Sequence, residues 1–404
     1  MRAKVATVPF LIVLLSWSAA LAAGQESDSV VAKLRAEGPA GMEAAIARGF
    51  SGDLLDQVCG VRDCAAIRLF WYTDLEAAKA AARESGKPIL SLRLMGRLDE
   101  EFSCANSRFF RTAFYKNHEI NALLRDRFIL HWRSVRPVPR VTIDFGDGRR
   151  LERTLTGNSI HYVLDSRGRL VAALPGLFGP EKFQSMLEEA ANQARYAEDL
   201  DDTRFAEWLN DRFPRQLRIR EAALLTETSV AGMRTDRPCT DCRDTASKMV
   251  VEQPILRAIM DEADKAAPAP ELPRELANLN DEKLQKVADF RRDFVHLDAE
   301  SRAFLLRKQG IEDPQDADRT VASFEKTMAL DEVINEYRTG PAILLKLSDP
   351  EVLKDFDLEA FNLWVYEKVF RTPLSDPWLG LAPEDVYSGL PAATKTSPAP
   401  QPWG

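Results

Sequence analysis

The pattern of apolar and polar positions changes character twice along this chain. From Val5 to about Leu15 the residues are almost all apolar, with Arg2 and Lys4 before them and Ala20-Leu21-Ala22 after them. A basic start, a short apolar run and closing small residues predict a secretory signal peptide over residues 1–23. A membrane anchor fits less well, because the run contains Pro9 and is shorter than the about 20 residues that span a bilayer. Residues 24–68 then read as a polar helical segment, with apolar positions at Val30, Val31, Leu34, Leu54, Leu55 and Val58. The pattern next becomes mixed. Asp74 opens an Ala-rich helix that Gly86 stops, and Pro88 leads into the strand Ile89–Leu94. Helices follow over Ala105–Tyr115 and His118–Arg127, and a second strand over Phe128–Trp132. Val141–Phe145 and Leu151–Leu155 flank Gly146-Asp147-Gly148, a hairpin signal. Two further strands, Ile160–Leu164 and Leu170–Leu174, join through a turn at Asp165–Gly168, and Pro180 begins a helix to about Tyr196. Beyond that point strand signals fade. Residues 196–265 read as helical, Ala266–Pro270 as a linker, 271–390 as an α-helical region and 391–404 as a disordered Pro/Ala/Thr-rich tail.

Composition narrows the class. The chain has 404 residues, enough for a large core without metal or disulfide support, and a net charge of −8 that removal of Arg2 and Lys4 takes to −10. An acidic balance argues against general nucleic-acid binding. No other stretch is apolar enough to span a membrane. The expectation is an exported protein, periplasmic or secreted, with no stable span after cleavage and with disulfides permitted. Five Cys and four His leave room for one or two redox or metal sites, and the odd cysteine count leaves one over if the others pair.

The middle region points to a family. Phe70-Trp71-Tyr72, the Ala/Lys helix Ala77–Ala82, Gly86-Lys87-Pro88-Ile89-Leu90, then Cys104-Ala105-Asn106-Ser107 at a helix start, and later Ile160–Asp165 with Gly168, occur in that order. This arrangement resembles an exported thioredoxin-like domain, over about residues 69–195. The resemblance implies an α/β fold with a central mixed sheet flanked by helices, followed here by a mostly α-helical C-terminal region. It also implies that Cys104 stands at the family's redox position, with Ser107 in place of the second cysteine of Cys-x-x-Cys. Ser159 aligns with the position where the family carries a cis-proline facing the active cysteine. A cysteine at a helix N-terminus is biased towards its thiolate by nearby N–H groups and the helix dipole. Arg97, Arg108 and Arg111 would reinforce that bias, and Asp99, Glu100 and Glu101 would oppose it. The Ser107 hydroxyl, one turn on, is placed to donate to the sulfur.

Cys59-x4-Cys64 and Cys239-x2-Cys242 form two close pairs. In an exported chain disulfides are the default, within or between the pairs. A four-cysteine zinc site and a second redox dithiol at Cys239 and Cys242 are the alternatives. No cofactor motif, phosphate loop, Ser-His-Asp arrangement or GxSxG is present. His118, His131, His161 and His296 have no ligand spacing, and His131 and His161 fall inside strands. Arg133, Arg136, Arg140, Arg149, Arg150 and Arg153 cluster around the hairpin. Two functional readings stand. One is thiol–disulfide exchange through Cys104 with protein thiols as partners. The other is a non-catalytic binding or scaffold protein whose helical C-terminal region takes a protein partner.

Overall fold

Local signals account for many element boundaries. The Asp74 carboxylate accepts from the Ala77 amide at 2.7 Å, capping the helix Leu75–Ser85, and Gly86 ends it in a left-handed conformation. Pro180 sits in the first turn of the helix Pro180–Glu198, where a missing N–H costs nothing. The computed structural model describes residues 28–154, 157–233, 276, 279–376 and 379. The expected signal peptide, Cys239, Cys242, the Ala266–Pro270 linker and the tail from 391 lie outside the described residues.

Before the sheet come a helix over 28–36, then α2 (Pro39–Ala47), α3 (Gly52–Cys59), α4 (Cys64–Ile67) and α5 (Leu75–Ser85). The first of these is α1 here. Strand β1 (Ile89–Met95) is buried on both faces, as its uninterrupted run between Pro88 and Gly96 requires. It pairs in parallel with β2 (Ile129–Arg136) and antiparallel with β5 (Ser159–Leu164), and β5 pairs antiparallel with β6 (Leu170–Pro175). The sheet is therefore mixed and four-stranded, in the order β2-β1-β5-β6. The β1–β2 crossover carries α6 (Ala105–Phe109), a π-turn at Phe110–Phe114 and α7 (His118–Arg127). The single helix expected over Ala105–Tyr115 is thus α-helix only for its first half. The hairpin forms as β3 (Arg140–Asp144) and β4 (Arg150–Thr154), a separate two-stranded sheet. Helix α8 (Pro180–Glu198) packs on β5 and β6.

The remaining described residues are mainly helical: α9 (Asp202–Met233), α10 (Asp281–Arg291), α11 (Ala299–Gln309), α12 (Pro314–Ile334), α13 (Gly340–Leu347), α14 (Pro350–Lys354) and α15 (Leu358–Trp364). Alpha-helix α15 continues as a π-turn, Val365–Val369. One buried apolar cluster runs from Val31 through the sheet to Phe205, Leu209, Phe213, Ile343, Phe361 and Phe370. The helical region therefore shares its core with the sheet. No helix among the described residues is long and apolar enough to cross a membrane.

Cys59 and Cys64 form a disulfide with each other, buried in this core. It closes a tight loop, and the Asp56 carboxylate of α3 accepts from the Cys64 amide at 2.9 Å. The Gly60 carbonyl in that loop accepts from Trp132 Nε1 at 2.6 Å, and Trp71 donates its amide to the Cys59 carbonyl at 2.7 Å. Gly60 has φ 69°, and a Cβ there would lie 2.6 Å from the Trp71 carbonyl oxygen, so only glycine fits. The pairing uses two of the cysteines that a four-cysteine zinc site would need. Because the loop is short, the disulfide contributes only about 2 kcal/mol by restricting the unfolded chain. The Cys59→Ala/Cys64→Ala double variant should lose about that much in urea denaturation, with its fold retained.

Candidate functional site

Cys104 ends the loop after β1 and stands at the N-cap of α6, as the helix-start spacing predicts. Its amide donates to the Met95 carbonyl at 3.1 Å, which ties the helix start to the end of β1. Its exposure is 0%. Ser103, Asn106 and Ser107 beside it are also fully buried. The Ser107 hydroxyl, expected at the sulfur, instead bonds the Cys104 carbonyl at 2.7 Å and the Ser103 hydroxyl at 2.5 Å. A serine one turn into a helix has the i−3 carbonyl within easy reach, and that local bond takes the proton.

The segment before β5 comes against Cys104, but through a different residue from the one expected. Gly157 packs its backbone on the cysteine, and a Cβ there would stand 2.4 Å from the Cys104 Cβ. Its φ of 150° also lies where a side chain is strained. Ser159, aligned with the family's cis-proline, is instead the first residue of β5, paired with Leu94. No peptide bond among the described residues is cis. Asn158 lies between them, and its side-chain carbonyl accepts from Asn106 Nδ2 at 2.9 Å.

Two tyrosines complete the surroundings. Tyr115, just past the π-turn, is fully buried and bonds His161 Nε2 at 3.1 Å. Tyr366 comes from the far end of the chain, in the π-turn after α15. Its hydroxyl bonds the carbonyls of Asn158 at 3.0 Å and Arg93 at 3.3 Å. Burial, then the nearby Cys104, pushes both phenols well above their ordinary range, so both stay neutral donors. The arginines expected to favour a thiolate are engaged elsewhere. Arg97 holds Asp99 at 2.7 Å, Arg111 reaches the Glu100 carbonyl at 3.1 Å, and Arg108 donates to the Thr154 hydroxyl at 3.0 Å.

A polar chain lies on the sheet face beside this cysteine. Ser91 and Arg93 of β1, His131 of β2 and Tyr162 of β5 share that face. Ser91 Oγ and His131 Nδ1 lie 2.7 Å apart, and Arg93 donates to Ser91 Oγ at 2.6 Å. Arg93 then pairs with Glu359 of α15 at 2.6 Å, and Tyr162 donates to Asn362 at 3.1 Å. Burial, then the charges of Arg93 and Arg133, pulls the His131 pKa down to about 3. Burial alone takes His161 to about 3. Both imidazoles are neutral at pH 7. The basic cluster near the hairpin is partly drawn into the same contact: Arg133 reaches Glu359 at 3.4 Å, and Arg136 donates to the Asp376 carbonyl at 2.8 Å.

Sequence reasoning located Cys104 and its helix start. It missed Gly157, Tyr115, Tyr366 and Glu359. The Gly157 signal was present in Thr156-Gly157-Asn158-Ser159, where a glycine before a strand marks a close backbone approach. Nothing local marked the others. Among the described residues no cluster of His, Cys, Asp and Glu has the arrangement of a metal site. No family model matches the chain, and neither curated proteins nor solved structures yielded a match.

Proposed function

We propose that this chain is an exported thioredoxin-like protein that acts as a binding or scaffold protein rather than as a thiol–disulfide oxidoreductase. The domain reading rests on the order of elements, with a parallel β1–β2 crossover, an antiparallel β5–β6 pair and a cysteine at the first crossover helix. The functional reading rests on one observation: Cys104 has no exposed surface, with the Gly157 backbone against its Cβ and Tyr366 bonded across the adjoining carbonyls.

Thiol–disulfide exchange requires the thiolate to approach a substrate disulfide in line with its S–S bond. The attack forms a mixed disulfide and releases the other substrate sulfur as a thiolate. A second thiol must then resolve the mixed species. Cys104 offers no surface for the first step, and Ser107 replaces the resolving cysteine of the family motif.

Insulin reduction by dithiothreitol separates the two readings. The wild-type protein and its Cys104→Ala variant should accelerate the reaction equally or not at all. Acceleration by the wild type that is lost in Cys104→Ala would instead establish the exchange reading.

A further inference from the structure

The hairpin β3–β4 forms a sheet of its own and is anchored at its base, where Arg140 lies over the Phe102 ring at 4.8 Å and Arg108 donates to the Thr154 hydroxyl at 3.0 Å. From Thr142 to Arg150 every residue is exposed. A two-stranded ribbon without a covering layer is marginal in water. Its register sorts the side chains into two unlike faces. One presents Thr142, Asp144, Arg150 and Glu152, with Asp144 and Arg150 paired at 3.0 Å. The other presents Val141, Ile143 and Leu151, with Arg153 towards the base and Phe145 and Arg149 at the tip. Ile143 is 44% and Phe145 55% exposed. Neither strand places a carboxylate on this apolar face. Arg149 has a counter-ion in the turn, Asp147 at 2.7 Å, whereas Arg153 makes no ion pair among the described residues.

Strand β4 is also an open edge. Phe145 donates its amide to the Arg149 carbonyl at 3.1 Å, so the pairs Ile143–Leu151 and Val141–Arg153 bond inward. The N–H and C=O groups of Arg150 and Glu152 then point outward. The Glu152 carbonyl is met there at 2.8 Å by the Arg153 guanidinium, and among the described residues no third strand takes these groups. An edge of this kind is a template for an added strand. We propose that this edge of β4 docks an extended segment of a partner protein with carboxylates at i and i+4 and an apolar residue at i+2. In an added strand the carboxylates stand beside Arg149 and Arg153, and the apolar residue beside Leu151. The third strand supplies the pairing and the apolar cover that a two-stranded ribbon lacks. The inference rests on the binding-protein reading and names its surface and the chemistry of its partner. An anionic lipid surface fits less well, because Asp144 and Asp147 stand at the same tip as Phe145 and would enter the headgroups with it.

The test uses the full-length chain and two fluorescein-labelled synthetic peptides, Thr-Glu-Thr-Val-Thr-Glu-Thr and its counterpart with lysine at both glutamate positions. At low salt the glutamate peptide should bind wild type about tenfold more tightly than the lysine peptide. The Arg153→Glu variant should lose that preference. Equal binding of the two peptides to wild type, or binding of neither, would overturn the proposal. A second measurement on the wild type guards against a variant that fails to fold. At saturating glutamate peptide the outward amides of Arg150 and Glu152 should exchange with solvent about tenfold more slowly, and unchanged exchange at both would also overturn it. Self-association that Arg153→Glu abolishes would make a second copy the occupant, and sedimentation with phosphatidylglycerol vesicles would make it a lipid surface. Either result would overturn the partner assigned here. Insulin reduction reads Cys104 and these measurements read the hairpin, so a failure here is distinguishable from a failure of the binding-protein reading.

Discussion

Between pH 7 and pH 5 the unfolding free energy of this protein should fall by about 4 kcal/mol through two buried histidines, about 2 kcal/mol each. In the unfolded chain His131 and His161 take up a proton near their ordinary value of 6.5, whereas in the folded protein they do so only near 3. Across the window between those values the unfolded state binds more protons. Stability is therefore complete above about 6.5 and is lost as pH falls towards about 3. The causes differ at the two sites. His161 lies among Phe110 and Phe183, with Tyr115 on Nε2. His131 is buried and also faces the Arg93 and Arg133 cations. The measurement is urea denaturation of wild type, His131→Asn and His161→Phe at both pH values. Each variant should lose about half of the pH-dependent drop, and an unchanged drop in both would refute the assignment.

Removing Arg291 has a comparable effect by a different route. Its guanidinium ties α10 to three other elements, bonding Glu227 of α9, Glu332 of α12, and Glu336 and the Tyr337 hydroxyl of the π-turn Asn335–Thr339. Burial works against its charge, but the bond to Glu227 and the charges of Glu336 and Glu332 outweigh it and raise its pKa further. Burial raises Glu332, which Arg291 only partly offsets, while Arg291 and Lys182 together hold Glu336 below the usual range. Arg291→Met keeps the aliphatic bulk and leaves buried carboxylates without their main counter-charge. The expected loss is about 3–5 kcal/mol at pH 7. Without the guanidinium the carboxylates bind protons more readily folded than unfolded, which adds stability as pH falls. The gap between variant and wild type should therefore narrow at pH 5, and a gap that stays constant would mean the loss is one of packing rather than charge.

What could be seen in the sequence divides by distance along the chain. The strand at Ile89, the cap at Asp74, the stop at Gly86, the helix start at Pro180 and the hairpin at Gly146-Asp147-Gly148 all depend on neighbours within a few residues, and all lie close to where the pattern puts them. The Cys59–Cys64 disulfide is the short-range pairing among those the spacing left open. The cover over Cys104 was not legible. Tyr366 and Asn158 are 208 residues apart, and Arg93 and Glu359 are 266 apart. In the last helical block Phe361, Val365 and Phe370 are buried, as apolar residues at helical spacing should be. Periodicity says which side of a helix is buried but not what it is buried against. Ser107 shows the same limit at short range, because a hydroxyl at i+3 from a cysteine suits the sulfur and the carbonyl equally well in sequence.

Cys104 is covered by the chain's own fold, so thiol reagents should reach it in the native protein only through local opening. The protein is treated with iodoacetamide at neutral pH, and modification is followed by mass on the tryptic peptide Leu98–Arg108, which separates Cys104 from the other cysteines. Labelling should be more than about 100-fold slower than in urea-unfolded protein, as expected for a thiol that reacts only after local opening by about 2.7 kcal/mol or more. Labelling of native Cys104 at the rate of the unfolded chain would contradict it.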